Sequence, residues 1–138
     1  MYNPDNIFAK ILRGELPSYK VYEDEYTFVM LDIFPQSYGH TLILPKKASV
    51  NFLEMDLEDA QHCIKTLKKV GPILKELTQA DGMILTQFNG AEAGQTVFHT
   101  HFHLIPKYKE ADLHPHAKNK ADEDVLKSLQ SKLIKALS

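Results

Sequence analysis

The chain has 138 residues, 43% of them hydrophobic and 25% charged, enough apolar material for one packed core and too much for a disordered chain. Its formal net charge of -2, with lysines scattered along the chain, offers no basic stripe for polymeric nucleic acid, and no window approaches the roughly 18 apolar residues of a membrane helix. A single cysteine, Cys63, excludes an internal disulfide framework; with no apolar run and small-residue cleavage site in the first twenty residues, the expected compartment is a reducing cytoplasm.

Residues 4 to 14, "PDNIFAKILRG", place Ile7, Phe8, Ile11 and Leu12 at helical spacing before a glycine stop, which predicts a short first helix. "YKVYEDEYTFVML" (19 to 31) is aromatic and β-branched around a polar "EDE", the pattern of a β-hairpin. "GHTLILP" (39 to 45) reads as a third strand and "GMILTQFN" (82 to 89) as a fourth. Between them Asp56 can cap a long helix whose apolar stripe is Leu57, Ala60, Ile64, Leu67, Leu74 and Leu77. Pro72 inside it either kinks that helix or ends its first segment, because proline lacks a backbone donor. A last amphipathic helix is expected from Asp122 to Leu137, with Val125, Leu129, Leu133 and Leu137 on its apolar side.

The chemistry concentrates in "VFHTHFHLIP" (97 to 106), where His99, His101 and His103 alternate with other residues. On a strand, side chains at period two share a face. Val97, His99, His101 and His103 would then face one way, and Phe98, Thr100, Phe102 and Leu104 would form the core side. Three readings fit such a face. The imidazoles could merely hydrogen-bond on a polar surface. Two of them could ligate zinc or iron with a third ligand from elsewhere. Or one neutral imidazole could attack phosphorus while a neighbour protonates the leaving group and another orients the nucleophile, work suited to a ring with a pKa of about 6.5. The preceding "NGAEAGQT" (89 to 96) favours the third, since its glycines let backbone amides approach an anion and Gln95 and Thr96 add donors.

"HTHFHLI", preceded by "AGQTVF" and extending upstream through "NIFAKILRGELPSYKVYEDEYTFVMLDI" and "GHTLILPKK", resembles the histidine triad (HIT) superfamily of nucleotide hydrolases and transferases, near the nucleoside phosphoramidate hydrolase branch and its bacterial members. The resemblance implies an α+β fold: a five-stranded antiparallel sheet, a short N-terminal helix, a long central helix and a C-terminal helix, with the helices on one face. It implies one domain over 1 to 138, its core about 5 to 108 and a C-terminal extension at 109 to 138.

It also implies roles. His101 would attack the α-phosphorus of a nucleoside phosphoramidate or dinucleoside polyphosphate and carry the nucleotidyl group until water releases it. His103 would contact the phosphate and protonate the departing group, with His99 behind it and His40 completing a hydrogen-bond chain. Asp32 would bind the ribose hydroxyls, and Ile7, Phe8, Ile11 and Ile33 would line the pocket for a purine base, although as sequence those four read equally well as core. Gln95, Thr96 and Asn89 would lie at the phosphate. No cofactor is implied.

Two departures stand out. Phe88 occupies a position where relatives commonly carry an amide side chain, which keeps open a nucleotide-binding regulatory module with negligible turnover. Asn6 and Ala9 stand where many bacterial relatives have the Cys-x-x-Cys pair of a structural zinc, so no metal is expected. A homodimer through the stripe from Leu57 to Leu77 and a sheet edge is implied, though that stripe could equally be an internal core face. Elsewhere, His114 and His116 in "LHPH" are expected to be solvated, His62 to lie on exposed helix, and Cys63 to be a small buried hydrophobe.

Overall fold

In the computed structural model, which describes residues 1–115 and 118–138, the elements run α1 (Ile7–Leu12), β1 (Tyr19–Glu23), β2 (Thr27–Leu31), β3 (Thr41–Pro45), α2 (Leu57–Thr78), β4 (Gly82–Thr86), a 3₁₀ turn (Ala91–Ala93), β5 (Phe102–Lys107) and α3 (Glu123–Leu137). The five strands form one antiparallel sheet in the order β1-β2-β3-β5-β4. This is the α+β architecture expected from the sequence, and His116 lies outside the described residues.

β2 and β3 are buried at every position, because the sheet is covered on both faces there. Val29, Leu31, Ile43, Phe102 and Leu104 pack with Cys63, Leu67, Val70 and Leu74 of α2 and Leu126, Leu129, Leu133 and Leu137 of α3. On the opposite face Phe28, Met30, Leu42 and Leu44 pack with Phe8, Ile11 and Leu12 of α1. The expectation of helices on one face is thereby corrected. The period-two alternation of strands buried on both sides needs a second cover, and α1 supplies it.

Local corrections follow from packing. α2 runs unbroken for 22 residues through Pro72, which lies on the exposed side, so the turn that loses its hydrogen bond faces water. Leu57 and Ile64, placed on the apolar stripe by spacing, are 74% and 47% exposed, and the inward residues are Ala60, Cys63, Leu67, Val70 and Leu74. Asp56 sits at the N-cap without capping, because its carboxylate pairs with Lys47. In α3 the inward residue of the first turn is Leu126 rather than Val125, and Asp122 caps by accepting from the amides of Asp124 and Val125. Asn6 caps α1 by accepting from Ala9 N–H at 2.9 Å.

Candidate active site

Only His103 of the three alternating histidines lies in β5; the strand begins at Phe102 rather than at Val97. The β3–β5 ladder pairs Thr41 with Leu104, Leu42 with His103 and Ile43 with Phe102. Continuing it would pair Pro45 with Thr100, and Pro45 has no N–H to give. Residues 97 to 101 are held instead by side chains and by the loop after β3: Thr100 N–H donates to Ser49 O at 2.9 Å, and Thr100 Oγ1 meets Ser49 Oγ at 2.7 Å. Phe98 is 39% exposed and so is not core, whereas Thr100, Phe102 and Leu104 are buried as expected. Pairing with Leu42 turns His103 to the α1 side of the sheet.

All four histidines are buried, His40 and His99 at 1% exposure, His103 at 2% and His101 at 8%. Their partners fix where the protons sit. His101 Nδ1 lies 2.7 Å from the backbone carbonyl of His99, which only accepts, so Nδ1 carries hydrogen and the neutral ring holds its lone pair on Nε2. Gln36 N–H donates to His40 Nδ1 at 2.9 Å, so the hydrogen of neutral His40 is on Nε2. That Nε2 lies 2.9 Å from His103 Nδ1, which must accept, and the hydrogen of His103 is thereby placed on Nε2. His99 Nε2 donates to Pro45 O at 2.8 Å, and its Nδ1 accepts from the Tyr2 hydroxyl at 2.7 Å. Burial pushes the His99 pKa down, against a smaller opposing pull from the Pro45 carbonyl.

Asp32 joins the chain from the side, with Oδ2 3.6 Å from His40 Nε2 and Oδ1 accepting from Phe34 N–H at 2.8 Å. Asp32, His40 and His103 bring three potential metal-ligand atoms within 4.8 Å of one another. The Gln36 amide, however, holds His40 in the tautomer whose Nε2 bears a hydrogen rather than a lone pair, so the cluster is wired as a proton path.

In front of His101 and His103 opens a cavity of about 340 Å³. Ile7, Phe8, Ile11 and Ile33 line it together with Asp32 and Thr96. Ile7 is 48% exposed, which places it as pocket wall rather than core. Met30 and Leu42 are further walls that were not anticipated, because alternation in β2 and β3 reads the same whether a side chain meets a helix or a cavity, and Pro17, Tyr19 and Phe34 join them from outside those two strands. The edge of the Phe8 ring approaches His101 at 4.8 Å between centroids.

The glycine loop is tied more than it is open. Buried Gln95 accepts from Gly90 N–H at 2.8 Å and donates to Val50 O at 2.6 Å and Val97 O at 3.0 Å. Asn89 Oδ1 accepts from Phe52 N–H at 3.0 Å. Neither side chain lines the cavity; each ties the glycine loop to the segment after β3, Gln95 through Val50 and Asn89 through Phe52. Phe88 stands edge-on to His103, ring centroids 5.5 Å apart, and packs over Gly94. Tyr2 and Gln36 were missed; one acts through a remote hydroxyl and the other through a backbone amide, and neither leaves a sequence signal.

His114 is exposed as expected. His62 is half-buried rather than exposed and stacks on Tyr26 at 3.6 Å between ring centroids. Cys63 is fully buried, and that burial pushes its thiol pKa up to about 12.

Comparison with known proteins places the family and the fold. The family model of the HIT domain matches residues 13–110. An uncharacterized HIT-like protein of Borreliella burgdorferi is 47% identical over 107 residues, covering 76% of this chain and 77% of that one. Adenosine 5'-monophosphoramidase HNT1 of Candida albicans is 38% identical over 109 residues, 76% of this chain and 72% of its own. The crystal structure of a Hit-like protein from Bartonella henselae superposes with a TM-score of 0.91 at 41% identity, covering 99% of this chain and all of the other.

Proposed function

The chain belongs to the HIT-domain family, and from that premise we propose that it hydrolyses purine nucleoside phosphoramidates or dinucleoside polyphosphates at the α-phosphate, through a nucleotidyl group carried on His101. The observation that carries this reading is the hydrogen bond from His101 Nδ1 to His99 O, which presents the Nε2 lone pair at the wall of the cavity. The Candida relative's name, a monophosphoramidase, supports the phosphoramidate substrate.

Nε2 of His101 attacks phosphorus as the bond to the leaving group breaks. The proton on His103 Nε2 passes to the leaving atom, so an amine departs neutral. Phosphorylated His101 becomes positive, and it stands 5.0 Å, ring to ring, from the His103 that has just become negative, so the two charges offset each other. A neutral imidazole suffices as acid because an amide anion is far more basic than the ring. Water then attacks phosphorus, His103 takes a water proton back, and the nucleoside monophosphate is released. Asp32 would take the ribose hydroxyls, Thr96 would face the phosphate at the end of a loop braced by Gln95, and no metal or cofactor enters.

The working form we propose is a cytoplasmic homodimer. Leu57 and Ile64 on the outer side of α2 and Leu85 on edge strand β4, 54% exposed, are apolar surface a second copy would cover. Sedimentation showing only a monomer at micromolar concentration would remove the dimer. The test of function is AMP release from adenosine 5'-phosphoramidate and from a diadenosine polyphosphate, with chelator present. His101→Ala should lower it on the order of 10³-fold or more while nucleotide binding persists. Release equal to wild type, or none from wild type on either substrate, overturns the reading; in the latter case a nucleotide-binding module would replace it.

A further inference from the structure

The β3–β5 ladder ends at the Ile43–Phe102 pair, so the backbone from Val97 to His101 lies beyond it. That stretch includes the His99 carbonyl, which sets the aim of His101 Nε2 because His101 Nδ1 binds it at 2.7 Å. It is tethered to the end of β3 and the segment after it by Thr100 N–H on Ser49 O and by the His99 ring, whose Nε2 donates to Pro45 O at 2.8 Å. The second tether has a fixed direction. Pro45 O only accepts, so the His99 hydrogen is on Nε2 and its Nδ1 is left as an acceptor. At 1% exposure the ring is closed to water, and the Tyr2 hydroxyl meets Nδ1 at 2.7 Å. Removing that donor would leave a buried acceptor unsatisfied, a cost the ring can relieve by turning and so releasing Pro45.

Tyr2 stands ahead of the first helix, where a chain ordinarily frays unless it is tied down. Here it is tied at several points. Asp5 N–H donates to Asn3 Oδ1 at 2.9 Å, Asn6 Nδ2 to Asn3 O at 2.8 Å, and Arg13 Nη1 reaches back from the end of α1 to Pro4 O at 2.8 Å. Asn6 then caps α1, so one braced turn joins Tyr2 to the helix that carries Phe8. The two rings meet alternate histidines edge-on, Tyr2 at His99 with centroids 5.7 Å apart and Phe8 at His101 with 4.8 Å. Their surroundings differ. Phe8 is a wall of the nucleoside cavity, whereas Tyr2 lines a separate hollow with Lys47, Ser49 and Asp59.

Resting on the phosphoryl-transfer reading above, we propose that Tyr2 is a positioning residue for the nucleophile. Its hydroxyl holds the His99 ring on Pro45, the held ring fixes the His99 carbonyl, and the carbonyl aims His101 Nε2 at phosphorus. The residues ahead of α1 thus serve the reaction from outside the cavity. Tyr2 gives up no proton in either step; its hydroxyl donates the same hydrogen bond throughout.

The test measures kcat and KM for AMP release from adenosine 5'-phosphoramidate by wild type, Tyr2→Phe, His99→Leu and the double variant, each first checked for cooperative thermal unfolding. Phenylalanine keeps the ring contact and removes only the hydroxyl. Tyr2→Phe should lower kcat by about 10-fold and leave KM within about 2-fold, because the nucleophile is displaced while the walls of the nucleoside cavity stay in place. Leucine fills the place of the His99 ring and accepts no hydrogen bond. Adding Tyr2→Phe to His99→Leu should therefore change kcat by less than about 2-fold, since the hydroxyl acts through that ring alone. A wild-type kcat in Tyr2→Phe, a loss confined to KM, or losses that multiply in the double variant overturns the role of Tyr2 and leaves the hydrolase intact. A wild type that releases no AMP from this substrate or from a diadenosine polyphosphate overturns the hydrolase reading and the positioning role with it.

Discussion

His40 and His103, 63 residues apart in the chain, meet nitrogen to nitrogen at 2.9 Å, and the backbone N–H of Gln36 on the far nitrogen of His40 sets the direction of that bond. An amide can only donate, so the proton order along Gln36, His40 and His103 is written into the backbone of the loop before β3. His40 is thus a positioning residue for the proton on His103 Nε2. His40→Asn should lower kcat by about 10- to 100-fold with KM nearly unchanged, since His103 would no longer be held in one tautomer while the nucleoside pocket is untouched. A wild-type kcat, or a loss that appears in KM alone, would remove the relay.

His99 provides a pH signature in stability. Buried, with its pKa pushed below the ordinary value of about 6.5, it stays neutral where the unfolded chain takes up a proton. At pH 7.5 neither state is protonated there and His99 contributes no pH dependence. As pH falls below about 6.5 the unfolded state binds the extra proton, so stability is lost until the folded pKa is also passed. Between pH 7.5 and 5.5 wild type should lose more denaturation free energy in urea than His99→Gln does. Equal losses would show that His99 titrates alike in both states.

Cys63 is predicted to be chemically silent. Its thiol is fully buried against the sheet and its pKa is raised to about 12 by that burial, with smaller pushes from Asp59 and Asp24. At pH 8 the native protein should leave a disulfide-exchange reagent unreacted, and one equivalent should react on unfolding. Rapid labelling of native protein would mean that α2 opens locally.

The elements were legible in the sequence wherever a single pattern governed them. The hairpin around "EDE" and the strand "TLILP" are continuous apolar runs bounded by turn residues, and they form as read. Errors arose where a pattern is blind to what lies opposite. Leu57 and Ile64 keep the spacing of α2 yet reach past the sheet, and Val125 gives way to Leu126 for the same reason. In the site, His40, His101 and His103 come together, while the His99 ring turns to Tyr2 and Pro45 and only its carbonyl reaches His101. The groups that orient them do not show in sequence: the Gln36 amide, the His99 carbonyl and the Tyr2 hydroxyl are a backbone donor, a backbone acceptor and a side chain 97 residues from its partner. Gln95 shows the converse, a side chain whose type fits a phosphate and whose three hydrogen bonds go to the loop.

Gly39 links fold to site through its backbone. It turns the chain into His40 at φ +93°, a conformation that side chains disfavour, and a Cβ there would lie 2.7 Å from Thr78 Cγ2 and 3.1 Å from Pro106 Cγ. Thr78 cannot easily yield, being buried at the end of α2 with its hydroxyl donated to Leu74 O at 2.7 Å. Gly39→Ala therefore combines backbone strain with overpacking and should cost about 2–4 kcal/mol, a fall in Tm of roughly 10 °C. The residue that must shift with it is His40, so kcat should fall at temperatures where the variant is still folded. Gly71 is the internal control: it lies within α2 with open space where a methyl would stand, and Gly71→Ala should be neutral or stabilise by up to about 1 kcal/mol. Calorimetry on the two variants separates the cases, and equal Tm values would mean that the loop before β3 shifts to accommodate a side chain that its present geometry excludes.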